Sequence, residues 1–188
     1  MEALRIAADR SLFLREFLSA PAKVGSLTPS SAYLARKIFQ TVDWAHTGSI
    51  VELGAGTGVF TAYIARHKRA DCKAVIVEQD PVMRAALTER FPEMSFGGRA
   101  ENLPFILKKY GIGKVDCIVS GLPFAVIKRQ LRVRILAAVR AALHEGGSFI
   151  AFQYTPQMYF AFRRHFARVD ADYELRNFPP ALVYRYRR

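Results

Sequence analysis

The chain has 188 residues, room for one domain with a short extension, and its 51% hydrophobic content supplies a sizeable core. No apolar run approaches the ~20 residues that cross a bilayer, no signal-peptide segment opens the chain, and two cysteines and four histidines lack metal-ligand spacing, so buried thiols, no metal and a cytosolic compartment are expected. Twenty-eight Lys and Arg against sixteen acids give a charge of +12, which favours a polyanionic partner: nucleic acid or an anionic membrane surface.

In chain order, residues 2–18 and 29–40 read as helices joined by "SAPAKVGSLTP", a helical extension (1–47) ahead of a domain at 48–188. At 100° per residue, Ile6, Phe13, Leu14, Phe17 and Leu18 share a broad face opposite Glu2, Arg5, Asp9 and Glu16. With Arg10, Arg15 and Lys23 nearby, this amphipathic segment suits an anionic membrane interface or packing on its own domain. "TPSS" (28–31) opens the second helix. Ser30 and Ser31 there are candidates to hold a substrate phosphate on free N–H groups; the alternative is a plain N-cap with Pro29 in the first turn.

From residue 49, short apolar runs alternate with helix-spaced ones. Strands are predicted at 49–54, 74–80, 94–98, 115–121 and 147–154, and helices at 57–68, 80–91, 101–110 and 128–144. That alternation predicts an α/β fold, a mostly parallel sheet with helices on both faces. The tail, "FARVDADYEL" and "ALVYRYRR", alternates apolar with polar and suits an antiparallel pair at one edge.

"VELGAGTGVF" carries the strongest chemical signal. Glycines 54, 56 and 58 between a strand and a helix let the backbone turn sharply and bring a ligand against main-chain N–H groups. The spacing is GxGxG, not the GxGxxG that seats a pyrophosphate, so a cofactor without phosphate fits better. Twenty-six residues after Glu52, Glu78 ends the second strand, placed to accept from both hydroxyls of a ribose.

At these residues the chain resembles the class I S-adenosylmethionine-dependent methyltransferases, whose Rossmann-like layout is seven strands closing in such a hairpin. The resemblance implies S-adenosylmethionine as cofactor. It implies that Glu52 and the loop Gly54-Ala55-Gly56-Thr57-Gly58 cradle its amino-acid portion, and that Glu78, followed by Gln79, grips the ribose. The family often has Gly-Asp-Ala after the third strand. Here Arg99 replaces the Asp, and the adenine contact passes to Glu101 or to the Ala100 backbone, unless Glu101 caps the next helix.

"VDCIVSGLPFAVI" (115–127) runs from a strand into the loop Ser120-Gly121-Leu122-Pro123-Phe124. Enzymes that methylate adenine in nucleic acid usually carry Asn-x-Pro-Tyr or Asn-x-Pro-Phe here, the Asn accepting the amino hydrogens and the aromatic stacking on the base. Ser120 lacks that reach, and Gly121 leaves space. With residues 12–36 and "RNFPPALVYRYRR", the loop resembles the bacterial phospholipid N-methyltransferases, which convert phosphatidylethanolamine to phosphatidylcholine and whose relatives act on ornithine lipids. The resemblance implies a monomeric enzyme on the inner face of the cell membrane. Its acceptor would be a phospholipid or aminolipid, not nucleic acid; an rRNA adenine dimethyltransferase-like enzyme is the alternative. Ser120, Gly121, Leu122 and Pro123 are then candidates to direct the amine through carbonyls and a hydroxyl, with Ser120 also bordering the cofactor. Tyr33 and Tyr154 are candidate proton acceptors or packing residues, Phe124 a substrate contact, and Arg176 a second phosphate anchor.

Overall fold

A computed structural model describes residues 29–166, 168–177 and 180–188, without the side chains of residues 29–31, 168 and 169. The predicted helix at 2–18, with Arg10 and Arg15, lies outside the described residues, as does Lys23.

The apolar runs form β1 (Ser49–Leu53), β2 (Lys73–Val77), β3 (Ser95–Gly97) and β4 (Val115–Ser120), all parallel. Every residue of β1 is buried, because both faces of this sheet are covered; its sequence is correspondingly a continuous run. β5 (Leu143–Gln153) adds in parallel to β4. The hairpin β6 (Arg168–Glu174) and β7 (Ala181–Arg187) closes the edge, with β7 antiparallel to both β5 and β6. The order is β3-β2-β1-β4-β5-β7-β6. Strand order reverses between β1 and β4, and in open sheets of this kind ligands bind in the crevice beyond the carboxyl ends at that point.

α1 (Pro29–Phe39), α2 (Val59–His67) and α3 (Pro81–Arg90) cover one face. There Leu34, Ile38, Phe39, Phe60, Ile64 and Leu87 pack with Ile50, Ile76 and Ile150. α4 (Leu103–Lys109), α5 (Arg129–Ala142) and α6 (Tyr159–Arg163) cover the other, where Leu103, Ile135, Leu136, Val139 and Phe162 meet Val51, Val75, Ile118 and Phe149. α1 is built into this core: the Phe39 ring stacks on Tyr63 at 4.7 Å and meets Phe60 edge-on at 5.9 Å. α3 starts where the sequence marks it, with Pro81 in its first turn and the Asp80 side chain accepting from Val82 N and Met83 N.

Two stretches differ from the sequence reading. β5 begins at Leu143, not 147, because the register shifts: Val115 pairs with Leu143 but Cys117 with Ser148. The extra residues bulge out at Gly146, whose φ is 82°. After β5, the turn Pro156–Met158 and α6 form a helical segment that no pattern announced. Its short length hides any periodicity, and it is held by Met158 and Phe162 in the core.

Candidate active site

At the carboxyl end of β1 the chain turns through Gly54, Gly56 and Gly58, with φ of 75°, 54° and 82°. Side chains are strained there. At Gly58 a Cβ would also lie 2.4 Å from Leu87 Cδ2, so glycine lets α2 start tight against α3. Gly54 N donates to Val77 O at 2.8 Å, tying the loop to the end of β2.

Glu78 follows immediately on β2 and is 9% exposed. Gly56 N donates to its Oε2 at 2.7 Å and Asp80 N to its Oε1 at 2.9 Å. A carboxylate oxygen has two lone pairs, so each oxygen retains one. The acid is fixed before any ligand arrives. Arg84 holds the same corner by donating to the carbonyls of Glu78, at 2.7 Å, and of Gln79, at 3.2 Å. The Gln79 and Thr57 side chains are exposed beside this corner, and Ala55 is buried under it.

Glu52 is 1% exposed and accepts from Thr61 Oγ1 at 2.6 Å. Burial pushes its carboxyl up to about 8; the Thr61 hydroxyl pulls it down and nearby Glu78 adds to the rise. The protonated form is therefore favoured at pH 7. After β3, Ala100 is buried at the start of a short turn (Ala100–Asn102), and the Glu101 side chain, 15% exposed, lies 3.8 Å from Arg99. No side-chain cap forms at α4, so capping does not occupy Glu101.

The loop after β4 lies directly against the glycine loop. Gly121 N donates to Leu53 O at 2.8 Å, and a Cβ on Gly121 would sit 2.8 Å from Gly54 O. Leu122 packs on Gly54 from the other side, its Cδ2 being 2.8 Å from the position of a Cβ there. Ser120 is fully buried, and its Oγ accepts from Leu122 N at 3.2 Å.

Two expectations for this loop need correction. The Leu122 carbonyl accepts from Phe124 N and from Gln153 Nε2, both at 2.9 Å, so both its lone pairs are occupied within the protein and it does not point an amine. Phe124 is fully buried, edge-on to Phe162 at 5.3 Å and to Phe149 at 6.4 Å. It is a core residue, not a substrate contact: the Pro123–Val126 turn swings its ring under the sheet.

Tyr33 and Arg176, far apart in sequence, come together: the guanidinium lies 4.5 Å above the ring centroid. Arg176 is also paired through two hydrogen bonds, each 2.9 Å, with the buried Glu174. As an anchor for a second anion it is thus already partly engaged. Tyr154 bonds Asn177, and burial pushes its phenol up to about 12, against the pull of that bond. At pH 7 it is a neutral hydrogen-bonding group, not a proton acceptor. The Ser30 and Ser31 side chains lie outside the described residues. Gln153, which the sequence reading passed over, is 4% exposed and bridges β5 to Leu122. Its signal was a lone amide ending the apolar run "FIAFQ".

A separate cleft of about 320 Å³ opens at the amino end of the sheet, lined among others by Asp43, His46, Asp116, His144 and Arg187. It lies away from the glycine loop, and its acids and histidines are paired with one another, Asp43 with His46 and Asp116 with His144. Asp116 accepts from Ser49 N, Ser49 Oγ and His144, at 2.7, 2.9 and 2.6 Å. It is a staple joining β1, β4 and the β5 bulge.

The strand order, the glycine loop and the acid fixed to it together define a Rossmann-like methyltransferase site. The chain belongs to the methyltransferase-domain family, whose model matches residues 50–147. It is 35% identical over 181 residues to the ornithine lipid N-methyltransferase of Singulisphaera acidiphila, covering 94% of each chain. Among solved structures, the fold matches the 1,6-didemethyltoxoflavin-N1-methyltransferase of Burkholderia thailandensis, determined with S-adenosylhomocysteine bound. The TM-score is 0.64 at 18% identity, over 100% of this chain and 88% of that one. It also matches the 16S rRNA N2 G1207 methyltransferase (RsmC) of T. thermophilus in complex with AdoMet and guanosine. There the TM-score is 0.63 at 19% identity; the match covers 89% of this chain but spans about half, 45%, of the other.

Proposed function

We propose that this chain transfers methyl groups from S-adenosylmethionine to the headgroup amine of an aminolipid, ornithine lipid or phosphatidylethanolamine, at a membrane surface. The observation that carries the reading is the similarity to a lipid N-methyltransferase along 94% of both chains, which includes the acceptor loop as well as the cofactor core. Bound S-adenosylmethionine supplies an electrophilic sulfonium methyl.

The residues fit that cofactor. The Glu78 oxygens, each with one lone pair left, take the ribose hydroxyls, and the open side of Gly56, where a Cβ would meet nothing within 4 Å, leaves room for the amino-acid portion. Glu101 and the Ala100 backbone serve the adenine. On the acceptor side the protein positions a nucleophile and excludes water. An alkyl ammonium with pKa roughly 10 costs about 4 kcal/mol to hold neutral at pH 7. Burial beside the aromatic cluster that Leu122 and Phe124 pack into reduces that cost. With Tyr154 a phenol and the Leu122 carbonyl occupied, the amine sheds its proton to water on entry and not to a base in the loop.

No helix among the described residues is long and apolar enough to cross a membrane. In this reading docking draws on cations and on the amphipathic sequence of residues 2–18, with the exposed Lys128 ahead of α5 and Arg129, Arg134 and Arg140 along it. Each Lys or Arg near an anionic surface contributes about 1 kcal/mol.

The test is incubation with methyl-labelled cofactor, mixed lipid vesicles and ribosomal RNA, followed by extraction. Label is expected in the lipid fraction. Label in RNA adenine with none in lipid overturns the reading in favour of an RNA methyltransferase.

A further inference from the structure

β5 ends beside the acceptor loop: Ser120 of β4 pairs with Ala151, and Gln153 follows two residues on, at the carboxyl edge of the sheet. The residue is 4% exposed. Nε2 donates to Leu122 O at 2.9 Å and to Phe152 O. Because both of these neighbours are carbonyl oxygens, the nitrogen must face them. The amide orientation is thereby fixed, and Oε1 faces the other way. It makes no hydrogen bond to any of the described residues.

Two of the loop's own acceptors are meanwhile engaged, the Leu122 carbonyl fully and the Ser120 hydroxyl in part. Leu122 O takes Phe124 N and Gln153, and Ser120 Oγ takes Leu122 N. A primary amine entering here brings hydrogens that need an acceptor, and the Gln153 carboxamide oxygen, unbonded within the described residues, has its lone pairs to offer.

We propose that Gln153 Oε1 accepts an N–H of the headgroup amine and so aims the nitrogen lone pair into the cofactor cleft, making Gln153 a catalytic residue of this enzyme. The assignment rests on the aminolipid reading above. It also answers what replaces an amide at position 120: the amide reaches the loop from the neighbouring strand, where it has room for a tetrahedral amine instead of a flat base. The geometry gives a headgroup rule. A neutral primary or secondary amine offers an N–H to Oε1; a neutral tertiary amine offers none.

The experiment compares the wild type with Gln153→Leu on anionic vesicles carrying dioleoyl phosphatidylethanolamine or its N,N-dimethyl derivative, with S-adenosylhomocysteine affinity measured by calorimetry. Misplacing a nucleophile by about 1 Å costs on the order of a hundredfold. The variant should therefore lose about a hundredfold in kcat on the primary amine and less than about threefold on the dimethylamine. S-adenosylhomocysteine Kd reports loop position, since Leu122 packs on Gly54, and it should stay within about threefold. Equal losses on both lipids, a weakened Kd, or no loss at all overturns the assignment. If the wild type does not turn over the dimethylamine, a fall in kcat on the primary amine with KM and Kd steady supports it, and a change in KM or Kd overturns it. A wild type that labels no lipid overturns the aminolipid reading and this assignment with it. An active wild type indifferent to Gln153 overturns this one alone.

Discussion

Glu52 and Glu78 show how burial divides labour between two acids of one site. Glu78 is held by two backbone N–H groups and keeps a lone pair on each oxygen. Charge-assisted hydrogen bonds contribute about 1.5–3 kcal/mol each, so Glu78→Ala should weaken S-adenosylhomocysteine binding at least tenfold. Unchanged affinity by calorimetry would remove it from the site. Glu52 makes a pH prediction instead. Its carboxyl titrates near 4.5 unfolded and at about 8 folded. Between those values the folded state holds a proton that the unfolded state has released, so stability falls as pH rises through this window and levels off above it. The slope is at most about 1.4 kcal/mol per pH unit. Glu52→Gln keeps an acceptor for Thr61 and cannot ionise. In thermal melts it should match the wild type near pH 5 and exceed it near pH 8; a gap that does not widen with pH counts against the buried acid. The positions of the three glycines and of Glu78 just past two strands were legible in the sequence, because both apolar runs end there; their contacts with a cofactor belong to the proposal. The role of Phe124 was not legible, since a turn decides whether an aromatic faces a ligand or the core.

At the scale of elements, the site is a meeting of two loops and a strand end. Gly121 lies so near Gly54 O that a methyl group there meets backbone, not a yielding side chain. Gly121→Ala should push the acceptor loop off the glycine loop and weaken S-adenosylhomocysteine at least tenfold, with a lowered Tm; a neutral substitution would show that the loops have slack. α1 belongs to the same packed body. Removing residues 1–18 leaves Leu34, Ile38 and Phe39 in the core, whereas removal through residue 40 strips them from it. Phe→Ala in a core costs about 3–5 kcal/mol, so Phe39→Ala should show that loss in urea denaturation, and the longer deletion should not fold cooperatively. A cooperative transition in the longer deletion would mean the sheet stands without α1.

For the whole molecule, the proposed membrane docking draws on the charge of +12. Sedimentation with anionic vesicles should fall steeply between 0.1 M and 1 M salt, as the screening length drops from about 10 Å to about 3 Å. Deleting residues 1–18 should lower it further by removing apolar insertion. Binding that survives the deletion intact assigns docking to the α5 face, with its exposed Arg129, Arg134 and Arg140. Binding indifferent to salt would show that charge is not what holds the protein there.

The sequence by itself determined the strands, the antiparallel closing hairpin and the glycine loop with its acids. These are written in local periodicity and in residues whose backbone freedom or charge has one use at that spacing. Only the tertiary structure decided what each polar group has left to give. It put the Leu122 carbonyl out of reach by spending both its lone pairs, turned Phe124 into the core, favoured the protonated form of Glu52, and brought Gln153 to a loop 31 positions away. Hydrogen-bond capacity and burial are properties of neighbours in space. No pattern along the chain records which neighbours a fold will supply.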